Sequence, residues 1–169
     1  MNINKKITNI TGYKFTKISN KYSLKDKIIS ECNRYNLKGT VLISDKGINF
    51  SIAGNNRYID KFITFIKNDS RFIDIDIKTT YNEYQPFRKM LVRIKKEIIS
   101  MGIEDINPSE STGEKIDPLE LVKRLDEDKD IILLDTRNEY EVRLGTFENS
   151  IDLDLDSFRD FPEQIDNLN

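Results

Sequence analysis

Apolar and polar positions recur with a definite period through most of the first hundred residues. Residues 13–17 (Tyr-Lys-Phe-Thr-Lys) alternate as a strand does. Ser23, with Asp26 three residues on, resembles a capping box, and behind it Leu24, Ile28, Cys32 and Tyr35 recur at helical spacing. Residues 39–44 and 48–53 predict two strands around the turn Asp45-Lys46-Gly47, with Ile48, Phe50 and Ile52 on one face. Asn55 or Asn56 can cap a second helix running to about Lys67, whose apolar set is Tyr58, Ile59, Phe62, Ile63 and Ile66. Ile73, Ile75 and Ile77 alternate with polar residues as a further strand, and residues 91–99 read as another. The order strand, helix, strand, strand, helix, strand predicts an α+β ferredoxin-like domain over residues 1–100, with the last strand an addition or the true fourth. Such a sheet carries helices on one face and leaves the other open.

Beyond it the pattern changes. Residues 101–116 lose periodicity and gather turn formers, which marks a linker. A second module, residues 117–169, starts with Asp117 as N-cap, Pro118 at the first helical position and Glu120 three residues after the cap, and its helix should end near Asp128. The apolar run 131–134, ending in Asp135, predicts a strand buried on both sides of an α/β sheet, and Asn138 should cap a short helix through Arg143. Asp152, Asp154 and Asp156 alternate with leucines and read as a solvated face rather than a metal site.

Composition narrows the function classes. No apolar run approaches the roughly 20 residues of a membrane helix, and Lys5 and Lys6 have no apolar stretch behind them, so no membrane or secretory role is expected and the cytoplasm is the expected compartment. One cysteine, Cys32, and no histidine exclude an intrachain disulfide, a histidine-based zinc site and a Ser-His-Asp triad. Cys32 falls on the apolar stripe of its helix and reads as a core thiol. The net charge of −2 argues against a polyanion partner until the chain is divided at Ser100. The first part holds 20 Lys and Arg against 9 Asp and Glu, the rest 7 against 20, so +11 is joined to −13. An asymmetry of that size points to two modules, the first suited to a polyanion.

The basic residues concentrate in 86–97, which carries Arg88, Lys89, Arg93, Lys95 and Lys96 against Glu97. As a strand, this stretch places Arg93 and Lys95 on one face opposite Val92 and Ile94, forming a cationic stripe; lysines there also serve an edge strand by blocking aggregation. Lys38, Lys46 and Asn49 add polar and positive side chains around the hairpin. Asp135 and Arg137 lie just past the apolar run, at the carboxyl end of a strand where open α/β sheets hold ligands, or else form a local ion pair. No cofactor site is evident, and nothing in the pattern specifies an oligomeric state.

Several of these stretches coincide in order with one family. Residues 38–43, Gly47-Ile48-Asn49 followed by 51–54, Pro86-Phe87 leading into 92–98, and 135–142 together resemble the bacterial tRNA uridine hydroxylases, and Gly145-Thr146-Phe147 with 157–162 extend the likeness over nearly the whole chain. The resemblance implies an N-terminal α/β domain followed by a rhodanese module. It implies oxygen-dependent hydroxylation of C5 of the wobble uridine, position 34 of tRNA, with molecular oxygen as co-substrate, the anticodon arm as partner and a catalytic cysteine in the rhodanese loop. No cysteine follows Cys32, so that loop is expected beyond Asn169, and the chain reads as a fragment that binds tRNA and catalyses nothing alone. On this reading Lys38, Lys46, Asn49, Arg88, Lys89, Arg93, Lys95 and Lys96 face RNA, while Asp135 and Arg137 are scaffold beside the missing loop. A rhodanese-type sulfurtransferase, which needs the same cysteine, and a non-catalytic RNA-binding module are the alternatives.

Overall fold

A computed structural model describes residues 6–98, 113–127 and 131–168. The chain divides into two compact units, Met1–Ile98 and Ile99–Asn169. The first holds β1 (Ile7–Phe15), α1 (Lys21–Arg34), β2 (Lys38–Ser44), β3 (Gly47–Asn55), α2 (Asn56–Lys67), a 3-10 turn over Ser70–Phe72, β4 (Asp76–Asn82) and β5 (Met90–Ile94). Its five strands lie in the order β4-β1-β3-β2-β5, antiparallel except for β5, which runs parallel to β2 at one edge. The sixth element after the two helices is thus β4, on the far side of β1, and β5 is an added strand.

One face of this sheet meets the helices. Ile10, Val41, Ile43, Ile48, Phe50 and Ile52 point to Leu24, Ile28 and Cys32 of α1 and to Ile59, Phe62 and Ile66 of α2, and all are buried. The rings of Phe50 and Phe62 meet edge to face at 5.7 Å. Gly12 makes that contact possible, since a Cβ there would lie 2.7 Å from Phe50 Cζ. A second glycine, Gly39, has φ +151°, and a Cβ on it would stand 2.1 Å from the Ser51 carbonyl oxygen, so β2 and β3 pair closely only because that position has no side chain.

Local chemistry explains the element ends. Asn55 caps α2 by accepting from Arg57 N–H at 3.1 Å, and the helix runs to Lys67 as its pattern predicts. Helix α1 ends where Asn36 turns left-handed (φ 51°): Leu37 N–H donates to the Cys32 carbonyl and Asn36 N–H to that of Asn33, the paired bonds of a Schellman motif. Its start differs from expectation. Ser23 lies inside the helix, which begins at Lys21, and the Asn20 side chain takes Arg71 Nη1 at 2.6 Å instead of capping.

Three strand bounds also shift. β1 begins at Ile7, six residues before the alternation at Tyr13. β4 begins at Asp76 because Asp69 caps a turn over the preceding residues and Ile75 N–H donates to Phe72, which leaves Ile73 65% exposed. β5 stops at Ile94, not 99: its partner β2 turns away after Ser44, and Lys95 N–H makes the last bond, to the Ile43 carbonyl.

The second unit holds α3 (Pro118–Asp126), β6 (Leu134–Asp135), α4 (Glu139–Val142), β7 (Ile151–Asp152) and α5 (Phe161–Asp166). Asp117 caps α3 through Leu119 N–H, while Glu120 pairs with Arg124 rather than returning to the cap. Asn138 and Glu141 form a capping box on α4. β6 and β7 are parallel, and Leu153 and Leu155 are buried between the exposed Asp152, Asp154 and Asp156. The expected strand buried on both sides is not found. Only Leu134 and Asp135 pair, and Ile132 is 80% exposed.

Candidate nucleic-acid interface

The face of the first sheet away from the helices is built by the other residues of each strand. Strand register carries them across the sheet in rows. Arg93 of β5 stands beside Leu42 of β2, then Asn49 of β3, Tyr13 of β1 and Asp76 of β4. The neighbouring row is Leu91, Thr40, Ser51, Thr11 and Lys78, and the next begins Lys38, Ala53, Asn9 and Thr80. Apart from Leu42, Leu91 and Ala53 these rows are hydroxyl, amide, charged or tyrosyl side chains. Among the described residues of this unit no helix covers them, because α1 and α2 pack on the opposite side.

The sequence-predicted residues fall on this face and its edge in three groups. Lys38, Asn49 and Arg93 share the open face. Lys89 and Lys95 continue the line of β5: Gly39 N–H donates to the Lys89 carbonyl at 3.2 Å, and Lys95 donates to Ile43 at 2.8 Å. Arg93 and Lys95 are exposed, as are Arg88 and Lys96, which lie outside the strand. Lys46 lies in the hairpin turn just past Ser44, at the opposite end of β2 from Lys38 and at the end of the sheet where β5 reaches Lys95; its backbone N–H donates to Ser44 Oγ and its carbonyl accepts from Thr16.

Tyr13 is the face residue that charge-based reading missed. It lies on β1, an interior strand between β4 and β3, and is 43% exposed, with its ring edge-on to that of Phe15 at 6.1 Å. The alternation through residues 13–17 carried the signal for a strand, but not that β1 would be an interior strand paired on both sides.

In the second unit Asp135 and Arg137 do come together. Arg137 donates to the Asp135 carboxylate from Nε at 2.9 Å and Nη2 at 2.6 Å, and its backbone N–H adds a third bond at 3.1 Å. Thr146 Oγ1 donates to the same carboxylate at 2.7 Å, and Arg137 Nη2 also reaches the Gly145 carbonyl. The Asp135 side chain is 8% exposed, and the Arg137 and Thr146 bonds hold its carboxyl well below the usual carboxylate range. This cluster ties the end of β6 to the 145–146 loop and lines a cleft of about 590 Å³ with Leu134, Thr136 and Phe147. Its charges are consumed in holding that shape.

Cys32 offers no alternative chemistry. It is fully buried, and burial pushes its thiol up to about 12, so it stays protonated at neutral pH. Among the described residues no helix is long and apolar enough to cross a membrane.

The first unit is thus a mixed α+β domain in which a five-stranded sheet carries helices on one face. Residues 7–98 match the UPF0176 acylphosphatase-like domain, and the chain belongs to that family. Many curated relatives are named tRNA uridine(34) hydroxylase, three of them as follows. That of Legionella pneumophila strain Paris is 39% identical over 153 residues, 90% of this chain and 60% of the relative. That of Wolbachia pipientis from Culex pipiens is 42% identical over 90% of this chain and 54% of its own length. The Cupriavidus necator protein is 40% identical over 94% of this chain and 58% of its own. The chain therefore spans between one half and two thirds of the length of these relatives. Among solved structures, the BLUF protein BlrB aligns with TM-score 0.48 and 15% identity over 58% of this chain and 80% of its own.

Proposed function

We propose that this chain supplies the RNA-holding part of a tRNA uridine(34) hydroxylase, with its first unit a ferredoxin-like platform and residues 117–169 the opening half of a rhodanese-like module. The observation that carries this is the overlap of two facts. Relatives of that name align over 90% or more of the chain, and the unit that matches the family domain is the one with the +11 charge and the cationic edge. Lys38, Arg88, Lys89, Arg93, Lys95 and Lys96 contact phosphates of the anticodon arm, which positions the loop without reading its sequence. Asn49 meets the RNA on the open face, and Lys46 touches it from the hairpin tip.

The wobble uridine sits in a single-stranded loop, so presenting it takes little unstacking. Converting C5–H to C5–OH removes two electrons from the base; with molecular oxygen as the oxidant, one oxygen atom enters the C5–OH and the other leaves as water, which takes two further electrons and two protons from a separate two-electron donor. Buried and protonated, Cys32 is not the catalytic thiol. Asp135 and Arg137 shape the cleft beside which the active loop stands. The work is cytoplasmic, where the tRNA is. Deleting the coding sequence and quantifying 5-hydroxyuridine at position 34 of bulk tRNA by mass spectrometry tests this reading. A fall that the gene restores supports it; an unchanged level overturns it.

A further inference from the structure

We propose that Tyr13 and Asn49 form a pocket for one unstacked RNA base on the interior strands of the open sheet face, with the Tyr13 ring as the stacking surface and the Asn49 amide bonded to the base edge. This deepens the RNA-holding reading and rests on it. The two residues are direct partners across the β1–β3 pair. Their strands are paired over nine positions and lie inside the sheet, so both side chains stand on backbone that is held from each side.

Three features suit a base rather than a protein surface. First, Tyr13 keeps 43% of its surface exposed on an interior strand, where an aromatic ring contributes most when something flat covers it. The ring of Phe15 stands edge-on beside it at 72° and limits its rotation. Second, the half-buried Asn49 amide makes no hydrogen bond to any described residue, so it offers both a donor and an acceptor. Third, the adjoining row includes Thr40, Ser51 and Thr11, whose small hydroxyl side chains offer further polar contacts.

Charge gives the site a direction. Arg93 lies at the β5 end of the same row, three strand spacings or roughly 14 Å from Tyr13, while Asp76 lies beside Tyr13 on β4. A flanking phosphate is drawn to the Arg93 end, whereas on β4 the charges of Asp76 and Lys78 stand two residues apart on the same face and offset each other. The strand of RNA therefore crosses from β1 toward the β5 edge, where Lys89 and Lys95 continue the positive line. A protein partner would need apolar area in place of these hydroxyl, amide and charged groups.

The test uses the whole chain and a fluorescein-labelled single-stranded uridine heptamer, read by anisotropy over a range of salt, with Tyr13→Phe, Tyr13→Leu and Tyr13→Ala. Phe should bind within about twofold of the parent. Leu and Ala should bind roughly 5- to 100-fold more weakly, the worth of one stacked base, with an unchanged salt slope because no phosphate contact has gone. Leu keeps bulk and strand preference, so it carries the test should Ala unfold. A 4-thiouridine heptamer should photo-crosslink within the tryptic peptide that contains Tyr13. Binding by the leucine variant equal to the parent's overturns the pocket while leaving the cationic edge intact; failure of the parent chain to bind any RNA overturns the RNA reading itself.

Discussion

Arg137 grips Asp135 with two side-chain nitrogens and a backbone N–H, and Thr146 closes the same carboxylate from the other side. These bonds favour the ionised acid, so the folded-state value lies below the unfolded one of about 3.9. The resulting stabilisation is complete above that unfolded value and is lost as pH falls below it toward the folded value. Thermal unfolding of the parent and of Asp135→Asn should therefore differ most near neutrality, with the parent more stable, and converge as pH drops below about 4. A gap that persists unchanged at pH 2 would show that the carboxylate's charge does not hold the cleft.

Cys32 is predicted to be inert. With its thiol pushed up to about 12, only about one molecule in ten thousand carries a thiolate at pH 8, and the side chain has no path to solvent. Ellman's reagent should react with the native chain only as fast as the chain unfolds, and completely in denaturant. Cys32→Ser should cost about 1–3 kcal/mol, because a hydroxyl replaces the sulfur in an apolar pocket, while leaving RNA affinity unchanged.

Gly12 and Phe50 are coupled. A methyl at residue 12 would press on Phe50 Cζ, so Gly12→Ala should destabilise by about 1–3 kcal/mol through overpacking. Phe50→Leu alone leaves a void, yet in the double variant the shorter side chain relieves the clash. Denaturant titration should give a combined loss smaller than the sum of the two, whereas strict additivity would mean that the two residues do not share the space assigned to them.

Gly39 should tolerate nothing larger. Its φ of +151° and the Ser51 carbonyl 2.1 Å from a built Cβ leave no room between β2 and β3. Gly39→Ala should cost about 2 kcal/mol or more and weaken RNA binding as well, since Lys38 and Lys89 are placed by the backbone on either side of it. Wild-type melting of this variant would contradict the close pairing.

What the sequence revealed follows from how local each signal is. The hairpin, the Asn55 cap and the Asp117 cap are set by residues within three or four positions of one another, and all were legible. The start of β1 was not, because its core-facing positions include Thr8 and Gly12, and Gly12 is there to admit a ring 38 residues away. Ser23 and Asp26 have the spacing of a cap but lie inside α1, whose start is fixed by Asn20 turning to Arg71. The apolar run 131–134 read as a two-sided strand, yet pairing with β7 begins only at Leu134. At the site, charge clustering identified Arg93 and Lys95, but the row linking Arg93 to Asn49 and Tyr13 exists only because β2 inserts between β3 and β5. No linear spacing encodes that order.

RNA binding along the β5 edge is decided by one titration: the affinity of this chain for a labelled anticodon stem-loop measured across salt, for the parent and for the Arg93→Ala, Lys95→Ala pair. Each lost phosphate contact should lower the slope of log affinity against log salt by about 0.7–0.9, so the pair should lower it by roughly 1.5 while the fold is retained. A parent that binds with a steep slope and a pair that binds weakly with a shallower one is the predicted result. Equal slopes and affinities, or no binding by the parent, would contradict it.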